Sequence, residues 1–109
     1  MELLTIPDVA EALGTDVLAV HRMLKEGDFV EARNANGVRC VPADFIQDGA
    51  AVKGLPSVIS LLRDGRFSDA EIVDWLFGED DSLAQGSAMA ALRANHGTEV
   101  KRRAQAASL

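Results

Sequence analysis

The stretch Leu13-Gly14-Thr15-Asp16 constrains this chain more than any other, because it must stop one helix and start the next within two residues. Upstream, Thr5 reads as an N-cap, Pro7 sits near the first helical position and Asp8 falls in the first turn. Val9, Ala10 and Leu13 recur at helical spacing. Gly14 then supplies the left-handed residue that closes a helix. Thr15 or Asp16 caps a second helix with Val17, Val20, Met23 and Leu24 as its apolar positions and Gly27 as its end. Two short helices across a tight glycine turn are the physical content of a helix-turn-helix.

Residues 29–42 read as a wing. Phe29-Val30-Glu31-Ala32-Arg33 alternates like a strand, Asn34-Ala35-Asn36-Gly37 carries the Asn-Gly hairpin signal, and Val38-Arg39-Cys40-Val41 pairs back until Pro42 stops it. A short helix around Ala43–Ile46 closes this half. The segment Gln47–Gly54 has no clear periodicity, which places a boundary there and divides the chain into residues 1–48 and 49–109. In the second half Pro56 opens a helix with Val58, Ile59, Leu61 and Leu62, ended by Gly65. Ser68 caps Asp69–Phe77, whose bulk is Ile72, Val73, Trp75 and Leu76, with Trp75 and Phe77 assigned to the core. Glu79-Asp80-Asp81-Ser82 is an acidic loop, Ser87 caps a helix with Met89, Leu92 and His96, and Gly97-Thr98 restarts a last helix to about Ala107. The expected fold class is mainly α with a small β-hairpin wing: a winged helix-turn-helix plus a compact helical C-terminal unit.

Composition removes several functions. No apolar run reaches the length of a membrane span, and no basic-then-apolar leader opens the sequence. Cys40 is alone, which excludes an internal disulfide, its alternation with Arg39 points it to the core, and two histidines do not make a zinc site. There is no Walker-type loop, no Cys-x-x-Cys pair, no Ser-His-Asp order and no calcium-loop spacing in the acidic cluster. The chain therefore reads as a non-enzyme of the cytoplasm, nucleoid-associated if it binds DNA, with no cofactor, metal or small-molecule substrate. Its charge is −6 overall, unusual for a DNA-binding protein, whose affinity comes from neutralising phosphates. Residues 1–46 carry a net −4, residues 47–92 a net −5 and residues 93–109 a net +3, so the placement of the cations matters more than their number.

The block Thr5-Ile6-Pro7-Asp8-Val9-Ala10-Glu11-Ala12-Leu13-Gly14 resembles the opening of excisionase-like and MerR-like DNA-binding domains. Val20-His21-Arg22-Met23-Leu24-Lys25-Glu26-Gly27 is similar to their recognition helix, and Arg33, Gly37, Arg39 and Val41-Pro42 to their wing. In the second half, Leu55-Pro56, Leu62-x-Asp64-Gly65, Asp69-x-Glu71-Ile72, Trp75-Leu76-Phe77 and Arg102-Arg103-Ala104-Gln105-Ala106 resemble the C-terminal domain of a small actinobacterial family of winged helix-turn-helix DNA-binding proteins. The resemblance implies duplex DNA as partner and transcription regulation as role. It departs at Val17 and Leu18, where such domains often place Arg, Ser or other polar groups.

A recognition helix lies in the major groove with its N-terminal turns toward the bases. With Val20 and Leu24 on the core side, the opposite face holds Leu18, His21, Arg22 and Lys25. Arg22 is the leading candidate, since arginine reads guanine bidentately or clamps phosphate; Lys25, near the helix end, suits the backbone. Arg33 and Arg39 flank the hairpin tip, where guanidiniums grip phosphates or enter the minor groove, and Asn36 shapes that tip. Thr15 offers a hydroxyl at a helix N-terminus. Lys101, Arg102 and Arg103 form the densest basic run and would add phosphate contacts if the last helix lay beside the recognition helix. Plainer roles stand beside each: solvated surface for Arg22 and Lys25, pairing of the wing arginines with Glu31, a cap for Thr15, a solvated terminus for the basic run. The expected function is weakly specific, salt-sensitive duplex DNA binding. The alternative, motivated by the acidic surface and Leu18, is a protein–protein interaction adaptor on a winged-helix scaffold. No sustained heptad comes after the wing, so a monomer is expected, with a dimer the alternative.

Overall fold

A computed structural model describes all 109 residues. Strand β1 (Leu3–Thr5) runs straight into α1 (Ile6–Leu13), followed by α2 (Val17–Glu26), β2 (Ala32–Arg33) and β3 (Arg39–Pro42). A short 3-10 turn at Ala43–Phe45 leads into a second hairpin, β4 (Ile46–Gln47) and β5 (Ala50–Ala51). Four helices complete the chain: α3 (Leu55–Asp64), α4 (Asp69–Phe77), α5 (Ala88–Arg93) and α6 (Gly97–Ala107). The architecture is mainly α with a small antiparallel sheet, a winged helix-turn-helix joined to a helical unit. No helix is long and apolar enough to cross a membrane.

The helix-turn-helix forms for the reasons its sequence suggests. Gly14 adopts φ +68°, its N–H returns to Glu11 and that of Thr15 to Ala10, closing α1 as a Schellman turn. Asp16, not Thr15, caps α2, accepting from the Ala19 N–H at 2.8 Å. Thr5 occupies the N-cap of α1 without a side-chain hydrogen bond. Along α2 only Val20 is fully buried; Met23 and Leu24 are half-buried, and Val17, expected as an apolar contact, is 40% exposed.

The sheet departs from the alternation reading. Phe29 and Val30 are both fully buried, so this segment is a core crossing rather than an alternating strand, and pairing begins only at Ala32. Arg33 faces Arg39 across the wing, and beyond them the Asn34 N–H donates to the Val38 carbonyl so that Ala35-Asn36-Gly37 closes the turn, with Gly37 at φ +76°. The Asn34 carboxamide oxygen accepts from the N–H groups of Asn36 and Val38 and holds that loop. The sequence gives no sign of the third strand: Leu3 pairs with Pro42 and Leu4 with Val41, so Pro42 ends β3 from inside it. The β4–β5 hairpin is equally unexpected, built on Asp48-Gly49 with both residues at positive φ.

One continuous core of 23 buried residues runs from Ile6 to Ala104, so the two halves of the chain share an interior. Phe45 is its hinge, fully buried, with its ring centroid 6.4 Å from Phe29 and 5.7 Å from Phe77 of α4. Arg93 makes a polar joint beside it, donating to the carbonyls of Asp44 (2.8 Å) and Ile46 (3.0 Å). Trp75 and Phe77, assigned to the core from sequence, are half-buried and pack against it. Ser68 and Glu71 form a capping box on α4, and Ser87 caps α5, which ends before His96.

Candidate nucleic-acid interface

Helix α2 and the wing meet along one seam. Leu18, His21, Arg22 and Lys25 recur at helical spacing and all are exposed; Leu18 is 80% exposed. Arg22 and Lys25 form no ion pair within the protein, so both charges are available. On the wing, Arg33, Asn36, Val38 and Arg39 are exposed, and Arg39 reaches across to α2: its Nη1 lies 3.3 Å from His21 Nδ1. An arginine only donates, so a hydrogen bond across this contact has His21 Nδ1 as the acceptor. His21, Leu24, Lys25, Glu31, Arg39 and Asp69 thereby line one shallow depression of about 240 Å³ between helix and wing.

Two carboxylates temper this seam. Glu31 Oε2 accepts from Arg39 Nε, and its Oε1 lies 3.7 Å from Arg33 Nη2. Asp69, at the start of α4, is held by Arg63 at 3.2 Å. The Arg39–Glu31 pair is partly solvated, with side chains 44% and 27% exposed. Such a pair contributes at most about 1 kcal/mol, weak enough for a DNA phosphate, an oxyanion of equal charge, to compete for the same guanidiniums. From sequence, Glu31 enters only as a surface partner and Asp69 has no place at the wing. Glu31 is findable, because it lies two residues before Arg33 on the same face of the ladder and diagonal to Arg39. Asp69 is not, because only the packing of α4 against β2 brings it to the wing.

The remaining candidates separate. Thr15 is exposed in the turn, with a hydroxyl free of internal partners. The basic run of α6 splits around its helix. Lys101 borders Lys53, Asn95 and Thr98. Arg102 pairs with Glu99 at 2.9 Å, and Arg103 binds Glu99 at 2.9 Å and Asp80 at 3.2 Å. Asp80 is held below the ordinary aspartate range first by the Ser82 hydroxyl, then by the Ser82 N–H, with the Arg103 charge adding to both. Arg103 thus ties α6 to the acidic loop.

Two family models cover the chain. Residues 1–46 match the winged helix-turn-helix domain of DNA-binding protein Rv2175c. Residues 52–108 match the Rv2175c C-terminal domain, described as of unknown function. The chain belongs to the Rv2175c family. It is 38% identical over 112 residues to the DNA-binding protein Rv2175c of Mycobacterium tuberculosis (strain ATCC 25618 / H37Rv), a match spanning 93% of this chain and 77% of that protein. Against the NMR structure of Rv2175c the TM-score is 0.90 at 37% identity, covering 99% of this chain and 82% of the other. In this member of the Rv2175c family, then, the α2–wing seam lies within the segment matched as winged helix-turn-helix, and Asp69 is contributed by the segment whose function is undescribed.

Proposed function

We propose that this protein binds duplex DNA through α2 and the wing, with weak sequence preference, as a transcription regulator acting on the nucleoid in the cytoplasm. The observation that carries the reading is the Arg39–His21 contact, which joins helix and wing and sets Lys25 and Arg39 on one depression; in this reading Arg22, next to His21 on α2, and Arg33, opposite Arg39 on the hairpin, extend that surface. The description of the Mycobacterium tuberculosis relative as a DNA-binding protein supports it. In this docking α2 enters the major groove, Arg22 reaches base edges or phosphate, Lys25 meets the backbone, and the wing arginines grip flanking phosphates. Leu18 meets a thymine methyl group, the contact open to an aliphatic side chain in the major groove. Residues 1–48 form the DNA-contacting unit, and residues 49–109 form a helical support that sets the wing against α4. The helices of that support cover their own apolar faces, which favours a monomer.

Four phosphate contacts set the salt dependence: a log–log slope of about −3 to −4, or about 100-fold loss of affinity between roughly 50 and 200 mM salt. Fluorescence anisotropy with labelled random-sequence duplex at those two concentrations measures it. The double substitution Arg22→Ala/Arg39→Ala is expected to weaken binding and flatten the slope by about 2; unchanged binding would refute the docking. A second reading, a protein-interaction adaptor, draws on the −6 charge and the exposed Leu18. Its signature is no DNA affinity even at the lower salt.

A further inference from the structure

We propose that Glu31 holds the place of a DNA phosphate on the wing, so that its carboxylate must be displaced before the wing grips a duplex; this rests on the DNA-binding reading. Arg33 and Arg39 face each other directly across the hairpin. Like charges opposed in this way repel, and a hairpin tip carrying both needs a counter-charge when no DNA is present. Glu31 supplies it to both, one carboxylate oxygen toward each guanidinium. Two oxygens of one anion bridging two guanidiniums is the arrangement a phosphate would also take.

The guanidiniums are held in place from their far sides. Arg33 Nη1 donates to the Gly37 carbonyl at 3.1 Å, and Arg39 Nη1 to His21 Nδ1 at 3.3 Å. The cradle therefore keeps its shape when the anion changes. Glu31, by contrast, has no hydrogen bond beyond these arginines, so nothing else retains it. The arginine side chains stay 58% and 44% exposed, leaving the outer side open to an approaching phosphate. The trio carries one net positive charge while Glu31 is seated and two once it leaves. Glu31 thus sets both the strength and the salt dependence of DNA binding.

Glu31→Gln keeps the shape of the side chain and removes its charge. In anisotropy titrations with random duplex, Glu31→Gln is expected to bind about 3- to 10-fold tighter than wild type near roughly 50 mM salt, with a log–log slope steeper by about 1. Glu79→Gln, an equal change in net charge on the exposed acidic loop, is expected to leave affinity nearly unchanged. In an Arg39→Ala background the gain from Glu31→Gln is expected to shrink. An equal gain from Glu79→Gln, or no gain from Glu31→Gln with an unchanged melting temperature, overturns the proposal. Should the substitution disturb the hairpin, the wild-type protein itself reports. Its Glu31 carboxyl carbon resonance is expected to shift on titration with duplex, and a resonance that stays fixed at saturation overturns the proposal. Absence of wild-type binding at low salt sinks the DNA reading as a whole. Wild-type binding that is sensitive to Arg22→Ala but indifferent to Glu31→Gln sinks only the role given to Glu31.

Discussion

Replacing Phe45 with Ala should destabilise both halves of the chain together. Phe45 lies in the winged half, is fully buried, and lies between Phe29 on one side and Phe77 of α4 on the other. Truncating a buried phenylalanine costs about 3–5 kcal/mol, from lost transfer energy plus the cavity left behind. Against the roughly 5–15 kcal/mol that holds a small domain, this is a large share. With a urea slope of about 1.5 kcal/mol/M the denaturation midpoint should fall by about 2–3 M. The protein provides a local probe, because its single tryptophan, Trp75, sits on α4 in the other half. Urea titrations followed in parallel by Trp75 fluorescence and far-UV circular dichroism are therefore informative. One shared core requires both signals to move by the same amount in Phe45→Ala. If the Trp75 midpoint stays at its wild-type value while circular dichroism reports a separate, earlier transition, the halves are energetically independent and the reasoning from a common interior is wrong.

Individual contacts set three further outcomes. Gly65→Ala would put a Cβ 2.7 Å from Ser108 Cα, where the end of α6 closes on α3; pushing α6 away also breaks the Ser108 hydroxyl bond to the Leu61 carbonyl, so a loss of about 1–3 kcal/mol is expected, read as a lower melting temperature. Glu71 is held below the ordinary glutamate range by the Ser68 N–H and then the Ser68 hydroxyl, and Asp80 below the aspartate range by Ser82. Both folded carboxylates bind protons less readily than the unfolded chain, so the stability they add is complete above about pH 5 and is lost as pH falls through their depressed values. Melting temperature should therefore drop more steeply with acid in wild type than in Glu71→Gln/Asp80→Asn, and parallel curves would contradict the assignment. Leu18→Ala, at an 80% exposed position, should change stability by less than about 0.5 kcal/mol, while abolishing any preference for duplexes containing thymine over the same duplexes containing uracil.

The helices and their ends are legible in the sequence because capping chemistry is local. Gly14, Gly27 and Ser68 each satisfy backbone groups within a few residues, and each terminates or opens a helix where its type suggests. Strands are less legible because their evidence lies in distant partners. Leu3-Leu4-Thr5 looks like a short apolar lead-in until Val41 and Pro42 stand beside it, and no period-2 signal can emerge from three residues. Phe29-Val30 misleads for the opposite reason: both side chains are buried, one against Phe45, so strong β-propensity marks a core crossing rather than a pleated surface. Asp48-Gly49 carries a turn signal as good as that of the wing, but Ile46–Ala51 is too short to show the flanking alternation that would identify it.

At the candidate site the helix face is readable and the charge balance is not. Spacing alone groups Leu18, His21, Arg22 and Lys25, because a helix converts sequence distance into position. Which cations are available depends on which carboxylates fold back onto them, and that is tertiary. Glu99 pairs with Arg102 and Arg103, Glu31 partly neutralises Arg33 and Arg39, and Arg22 and Lys25 stay unpaired. A protein of net charge −6 is repelled by a polyanion at long range, and salt screens that repulsion as well as the attraction at the seam. Affinity is thus the difference between a short-range seam of four cations and a body-wide field of opposite effect. For such a molecule a single carboxylate at the seam weighs more than several elsewhere, since it lies inside the screening distance of every phosphate the wing can reach. On the proposed DNA-binding reading, removing Glu31 is expected to raise affinity and removing a remote acid to change it little.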